Sequence, residues 1–458
     1  MIRMRSALLV GALLASTAPA ALAGTLFDHF NPLPGSVPAG SLPEATPFQL
    51  SSPYFSQRSI SANDAGAANG GIKLGDNWDM ITLNENGPQA GRYLFAPYET
   101  NSAGVRRLDL TTGQAVSIVA PGTQGFVSGD ASRWTPWGTY LTAEESWGTG
   151  STKGRLFEVT NPLAAPGSVN FVQRSVIPRV SHEGLAFDKD NNLYFIDENA
   201  GGGIFKYVSK TPANGSTYFD AGQTFVLKVG AGGNAEATGA ATWVPITDAN
   251  GNALAGIPTV TINGVTSVDG RAARAAVNAT SFNRPEDVEI QTLADGRQIL
   301  YFNATTNSKT FSIKLGDATN ATVNLAVSKA TLDKATMAAV GATFQDPDNL
   351  AIDAEGNIYI VEDQPGGIAD IWFLFDADRD GIAESIGRWA SLSTVGSEPT
   401  GLYFDPFRPN IAYINVQHAD SDIDRTIMIS VPEPGSLAAM AAGLITMAGF
   451  ARRRGRKA

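Results

Sequence analysis

An all-β fold, a six-bladed β-propeller, is predicted from one hairpin pattern that returns along the chain, from the spacing of its copies, and from composition. The template is Gly184-Leu185-Ala186-Phe187-Asp188-Lys189-Asp190-Asn191-Asn192-Leu193-Tyr194-Phe195-Ile196-Asp197-Glu198. It aligns with Asn349-Leu350-Ala351-Ile352-Asp353-Ala354-Glu355-Gly356-Asn357-Ile358-Tyr359-Ile360-Val361-Glu362-Asp363. In both, a strand ends at an Asp that can close an Asx-turn, Asn or Gly supplies the φ > 0 position, and an alternating apolar strand returns. Looser copies at 79–99, 126–145, 286–303 and 401–415 bring the number to six. The returning strands end near 99, 144, 197, 303, 362 and 415, so the spacings are 45, 53, 106, 59 and 53. A period of about 45 to 55 residues built from short strands is that of a propeller. The 48 glycines and only 17% charged residues suit tight-turned β structure rather than helices.

In chain order, Arg3 and Arg5 precede an apolar run from Ala7 to Ala15, too short to span a bilayer, and Ala21-Leu22-Ala23 forms a small-residue cleavage site. Residues 1–23 therefore read as a cleavable export signal, and 24–74 as a segment leading into a propeller body at 75–430. The doubled interval places an insertion at about residues 209–280, rich in Gly, Ala and Thr, between the third and fourth blades. At the end, Val431-Pro432-Glu433-Pro434-Gly435 breaks the chain, Leu437 to Ala451 is apolar except for Thr446, and Arg452, Arg453, Arg454, Arg456 and Lys457 follow. One transmembrane segment is expected there, its basic cluster kept cytoplasmic. This order resembles the PEP-CTERM sorting signal of Gram-negative bacteria. The resemblance implies recognition by an exosortase-type membrane protease, a transient inner-membrane anchor, and a body delivered to the periplasm, outer surface or extracellular matrix.

Setting aside the seven cations of the two terminal signals and Glu433 leaves 26 basic and 43 acidic residues, a net charge of about −17. Such a body repels nucleic acid and anionic membrane and concentrates cations. With no Cys, neither disulfides nor thiolate metal sites are available.

The hairpins begin at Asp79, His182-Glu183, Glu286-Asp287, Asp348 or Glu398 and end at Glu99, Glu144-Glu145, Asp197-Glu198, Asn303, Glu362-Asp363 or Asn415. An antiparallel hairpin sets the start of its first strand beside the end of its second. Both groups are thus expected at one mouth of the channel, with Glu362 among the candidate metal ligands. About ten acids converging there cannot all ionise unpaired, so cations or raised pKa values follow. Oxygen ligands in that number favour Ca²⁺. His182 and His418 also fall at the expected mouth, as ligand, proton carrier or orienting group. Arg284 can clamp an oxyanion or phosphate, or pair with a neighbouring carboxylate.

Asp376-Ala377-Asp378-Arg379-Asp380-Gly381 with Glu384 is a separate signal. Alternate Asp oxygens before a turning Gly suit a Ca²⁺ loop, yet the twelfth position is Gly387 rather than a bidentate Glu, so a plain turn is the alternative. No Gly-rich phosphate loop, Gly-x-Ser-x-Gly elbow or His-Glu-x-x-His helix is present.

Thr135-Pro136-Trp137-Gly138-Thr139-Tyr140-Leu141-Thr142-Ala143-Glu144-Glu145, His182-Glu183-Gly184, Trp243-Val244-Pro245, Arg271 to Thr280 with Phe282-Asn283-Arg284-Pro285-Glu286-Asp287, Thr305-Thr306-Asn307, Asp348-Asn349-Leu350 and Asn415-Val416-Gln417-His418 follow in the order of the PhoX-type alkaline phosphatases, which residues 75–425 resemble. The resemblance implies a six-bladed propeller with calcium and iron at its mouth, hydrolysing small phosphate monoesters outside the inner membrane. Carried over by motif, Glu144, Glu145, Glu183, Glu286 and Asp348 are metal-site candidates, with Arg284 near the phosphate. One departure matters: Ala143 stands where the family has an iron-binding Cys. Loss of a soft thiolate leaves an oxygen cage suited to Ca²⁺ and disfavours iron. Two other readings stay open. One is a gluconolactonase-like calcium lactonase, which shares the Asp-x-x-Gly-Asn hairpin. The other is a non-catalytic matrix or surface protein.

Overall fold

In the repeated turn, Asp188 Oδ1 accepts from the backbone N–H of Asp190 (2.9 Å) and Asn192 (2.8 Å), while Asn191 takes φ 59°. Asp353 repeats this with Glu355 and Asn357, both at 2.9 Å, and Gly356 at φ 78°. The returning strands carry a tyrosine whose hydroxyl closes the motif: Tyr194 on Asp188 and Tyr359 on Asp353, both at 3.1 Å. Tyr413 does the same to Asp405 at 3.1 Å in a copy with a longer turn. Each Asp thus joins turn to strand, which fixes register.

The computed structural model describes residues 27–63, 75–363 and 368–432. The fold is all-β and propeller-like. Three sheets are four-stranded antiparallel units and a fourth has six strands. One four-stranded sheet comprises Thr82–Leu83, Tyr93–Pro97, Val105–Asp109 and Ala115–Val119, and the next comprises Gly129–Trp134, Tyr140–Glu144, Leu156–Val159 and Phe171–Gln173. A nine-stranded sheet contains two further four-stranded runs, which begin at Leu185–Phe187 and at Pro285–Thr292. Strand Gly239–Pro245 joins them, because one edge pairs with Gly222–Val229 and the other with Asn320–Val327. The sheets are therefore four blade-like units and one continuous nine-stranded sheet rather than six separate blades. Hairpin Thr259–Ile262 with Val265–Val268 and helix Gly270–Ala276 follow that joining strand.

The segment before residue 75 does more than lead into the body. Phe48–Leu50 pairs with Ser385–Leu392, and Ser56–Ala62 pairs with Arg425–Ser430 to complete the last sheet. The last sheet is thus closed by strands from both ends of the chain, and Phe27 packs fully buried against Phe55, Trp389 and Phe404.

The first strands of the six runs lie side by side, closely enough to require glycine. A Cβ on Gly184 would lie 2.2 Å from Val288 N, and one on Gly401 would lie 2.7 Å from Ile81 N. The transmembrane segment expected over 437–451 needs correction: no helix among the described residues is long and apolar enough to cross a membrane, and that stretch lies outside them, as does the signal at 1–23.

Candidate metal centre

Three of the innermost strands carry a register slip that spans an acid, between Gly129 and Ser132, Pro285 and Val288, and Pro347 and Leu350, and on the last sheet the slip falls after Glu398, between Thr400 and Tyr403. A bulge re-aims the side chain it carries. Just before it the backbone turns left-handed, at Ser128 (φ 39°), Arg284 (50°) and Asp346 (43°), and it does so also at Asn77 (54°) and Gly396 (74°). Two residues later stands an acid each time: Asp79, Asp130, Glu286, Asp348 and Glu398, with Glu183 in the same place on the remaining strand.

The second strands complete the arrangement. The N–H of Glu99, Glu145, Glu198, Thr305 and Asp363 donates to the carbonyl of Asn77, Ser128, Ser181, Arg284 and Asp346 at 2.8 to 3.0 Å. The residue one or two past each of these returning strands therefore stands beside an inner-strand acid; on the last sheet Gln417 pairs with Glu398 and His418 follows it. Three groups have ligand atoms within 4.8 Å of one another: Glu99, Glu398 and His418; Glu145, Glu183 and Glu198; and Glu183, Glu286 and Asp348. Glu183 belongs to two of them.

This cluster lacks compensating charge. Arg284 pairs with Glu198 and, at 3.2 Å, with Glu286. His418 Nε2 stands 3.5 Å from Glu99 and 3.4 Å from Glu398. Asp130 Oδ1, Glu183 Oε2, Asp348 Oδ1 and Asp363 Oδ1 are buried without a hydrogen-bond partner among the described residues. Burial first, then neighbouring carboxylates, pushes Asp130, Glu183 and Asp348 well above the usual carboxylate range. Burial and Glu99 raise Asp79 to about 7; burial and Glu198 raise Glu286 to about 7. Orphaned, dehydrated, hard oxygens fit Ca²⁺. They do not fit a thiolate-bound iron, because Ala143 is fully buried among Ala131, Leu141 and Leu156 and offers no donor.

Several residues expected at the mouth lie elsewhere. Glu144 is completely buried in an ion pair with Arg155 at 2.5 Å. Glu362 is occupied by Gln345 N (3.0 Å), Asp370 N (3.1 Å) and Trp372 Nε1 (2.8 Å). Both end their strands, and alternation turns the last residue away from the face that the next one lines. For the same reason His182 is buried beside Phe195, 5.4 Å between rings, while Glu183 faces the cluster. Burial lowers His182 to about 3, so near neutral pH it is the uncharged imidazole. Asn303 and Asn415 brace the bulges by donating to the carbonyls of Asp348 (2.7 Å) and Asp79 (2.5 Å). Asp130 is the acid that sequence reasoning missed. Its signal was its place in the 126–145 copy, matching Glu183.

The Asp376 loop is distinct. Asp376, Asp378 and Glu384 approach within 4.8 Å, but Asp380 instead accepts from Ile382 N at 2.9 Å. Arg379 Nη1 donates to Gly356 O at 2.6 Å, which fixes this loop at the turn end of its sheet, away from the mouth.

The family description "Alkaline phosphatase PhoX" matches residues 125–420, and that of the PEP-CTERM protein-sorting motif matches 430–457. The chain belongs to the PhoX family. Its sorting motif marks a protein for export and exosortase processing. No curated protein matches the chain. Among solved structures, PhoX-family residues here are similar to a Bacteroides thetaiotaomicron protein of unknown function (13% identity, 82% of this chain and 76% of that one, TM-score 0.43). They are also similar to the PQQ-bound aldose sugar dehydrogenase of Streptomyces coelicolor (14%, 82% and 98%, TM-score 0.41).

Proposed function

We propose that the protein is an exported, calcium-dependent hydrolase of small phosphate esters. The reading rests on one observation above all: Glu183 offers an orphaned buried oxygen between two acidic groups, one of which is bordered by Arg284. Family membership adds the substrate class. In this reading the body has six blades, two of them fused through Gly239–Pro245, and the hairpin with its helix is the insertion, beginning after Val229 rather than at 209.

Glu145, Glu183, Glu198, Glu286 and Asp348 would hold Ca²⁺, and Glu99, Glu398 and His418 a further ion or an ordered rim. The bound cations would neutralise phosphoryl oxygens and acidify the attacking water. Arg284 is 43% exposed, so its guanidinium can turn from Glu198 to two phosphoryl oxygens, where it would act on developing charge. Water adds to phosphorus and gives a proton to a mouth carboxylate, the ester P–O bond breaks, and the leaving alkoxide takes a proton. His418, 39% exposed at the rim, is the available donor.

Hydrolysis of 4-nitrophenyl phosphate, abolished by chelator and restored by calcium, tests the proposal. Arg284→Ala should lower kcat/KM by about a hundredfold. Calcium-dependent stabilisation with no turnover under calcium or iron would overturn it in favour of a non-catalytic surface protein, a reading that the buried Ala143 favours.

A further inference from the structure

Arginines in this acidic protein stand typically against a carboxylate, as in Arg92–Asp109, Arg155–Glu144 and Arg408–Asp405. Arg274 and Arg179 do not. Arg274 makes one hydrogen bond, Nη1 to Ala279 O at 3.3 Å, and its buried Nε has no partner among the described residues. Arg179 donates to the carbonyls of Thr152 (3.0 Å) and Lys153 (2.5 Å), and its Nε is likewise orphaned. Arg274 lines a groove of about 820 Å³, walled by the 147–152 loop, hairpin strand Thr259–Ile262 and helix Gly270–Ala276, and Arg179 lies buried behind the 147–152 loop.

The groove adjoins the metal centre. Trp147, on its wall, lies two residues after Glu145, and its carbonyl accepts from Arg271 Nη1 at 2.7 Å. Arg271 in turn grips Asp197, the neighbour of Glu198, at 2.6 and 2.8 Å. The wall is part apolar, from Trp147, Val260 and Ile262. The acid in the groove, Asp269, is engaged: its Oδ1 caps Ala272 N at 3.0 Å and accepts from Trp147 Nε1 at 3.2 Å. Arg179 lies 5.9 Å from the Trp147 ring and adds positive potential from behind. What remains is an indole face and a guanidinium with no carboxylate against it among the described residues.

We infer that this groove is a subsite for the leaving group of the ester, and that it takes a flat organic group carrying an additional anionic oxygen group, such as a carboxylate, set against Arg274. The inference rests on the mouth being a phosphate-ester site. It makes the insertion the element that sets substrate preference.

Calcium-loaded protein should bind 4-carboxyphenylphosphonate at least tenfold more tightly than phenylphosphonate in calorimetry, since a charge-assisted contact is gained. Arg274→Gln should erase that preference and leave phenylphosphonate binding unchanged. Val260→Asp, at a half-buried hairpin position outside the core clusters that lines the groove, should also erase it. Equal affinities in the parent protein, or a preference that survives both variants, overturns the subsite. Turnover of the two corresponding phosphates separates the readings. Hydrolysis of both without preference overturns the subsite and leaves the phosphatase; a binding preference with neither phosphate hydrolysed supports the groove and removes the phosphatase.

Discussion

Replacing Asp79 by Asn should stabilise the calcium-free protein at alkaline pH and blunt its response to calcium. Asp79 is 5% exposed, and burial together with Glu99 raises its pKa from 3.8 to about 7. A carboxyl raised in this way holds its proton in the folded state after the unfolded chain has released it. Its contribution is therefore unfavourable to folding across the window from about pH 4 to about pH 7, growing as pH rises and constant above. A shift of roughly three units corresponds to about 4 kcal/mol at pH 8. Asn carries no proton to lose and keeps an acceptor for the Thr400 hydroxyl that now contacts Asp79 Oδ1. In chelator at pH 8 the variant should thus exceed the parent by up to about 4 kcal/mol, and by less at pH 5. Calcium narrows the gap without closing it: at a hundredfold excess over its Kd it adds about 2.7 kcal/mol to a protein that binds it only when folded, and the variant has one charge fewer to offer. Urea unfolding at pH 5 and 8, with chelator and with calcium, reads all four states. Chelated parent protein as stable at pH 8 as at pH 5 would refute the reasoning.

Glu183→Gln removes the carboxylate common to two groups and should lower calcium affinity at least tenfold, and the number of bound ions with it, by calorimetry. Arg155→Ala leaves Glu144 charged and fully buried, so unfolding free energy should fall by about 3 to 5 kcal/mol while calcium binding survives in any folded fraction. Gly184→Ala puts a methyl 2.2 Å from Val288 N and forces two inner strands apart; thermal unfolding should move down steeply or no folded protein should be recovered.

The hairpins were legible because one Asp does two jobs in each: its carboxylate orders the turn through backbone donors and binds the tyrosine of the returning strand. That demands a fixed spacing, which a single sequence displays. The mouth was legible only to within one residue. Period-two alternation decides whether Glu144 or Glu145, and Glu362 or Asp363, faces the cluster, and the bulges that set the phase have no sequence mark of their own. Asp130 escaped notice because its copy has Ser and Gly before it, with no apolar strand to announce the register. The closing strand Ser56–Ala62 was illegible for a different reason. Its residues are half-buried and mostly polar, since pairing with Arg425–Ser430 rather than packing holds it in place.

Position 143 alters which ions the centre can choose without touching the oxygens that do the holding. The side chain lies fully buried in an apolar cluster with Leu141, Leu156, Val180 and Leu185. The orphaned oxygens of Glu183 and Asp348 lie outside the strand that holds 143, and a bulge in its own strand sets Asp348, so they persist whatever occupies 143. The proposed calcium requirement and the missing thiol are thus independent features. The first follows from charge that the chain's own Arg284 and His418 do not balance, and a chain marked for export carries that charge to where calcium is abundant. The second bears only on soft-metal chemistry. Ala143→Cys should accordingly leave the calcium isotherm unchanged, and a shift in calcium affinity of tenfold or more would show that the two are coupled after all.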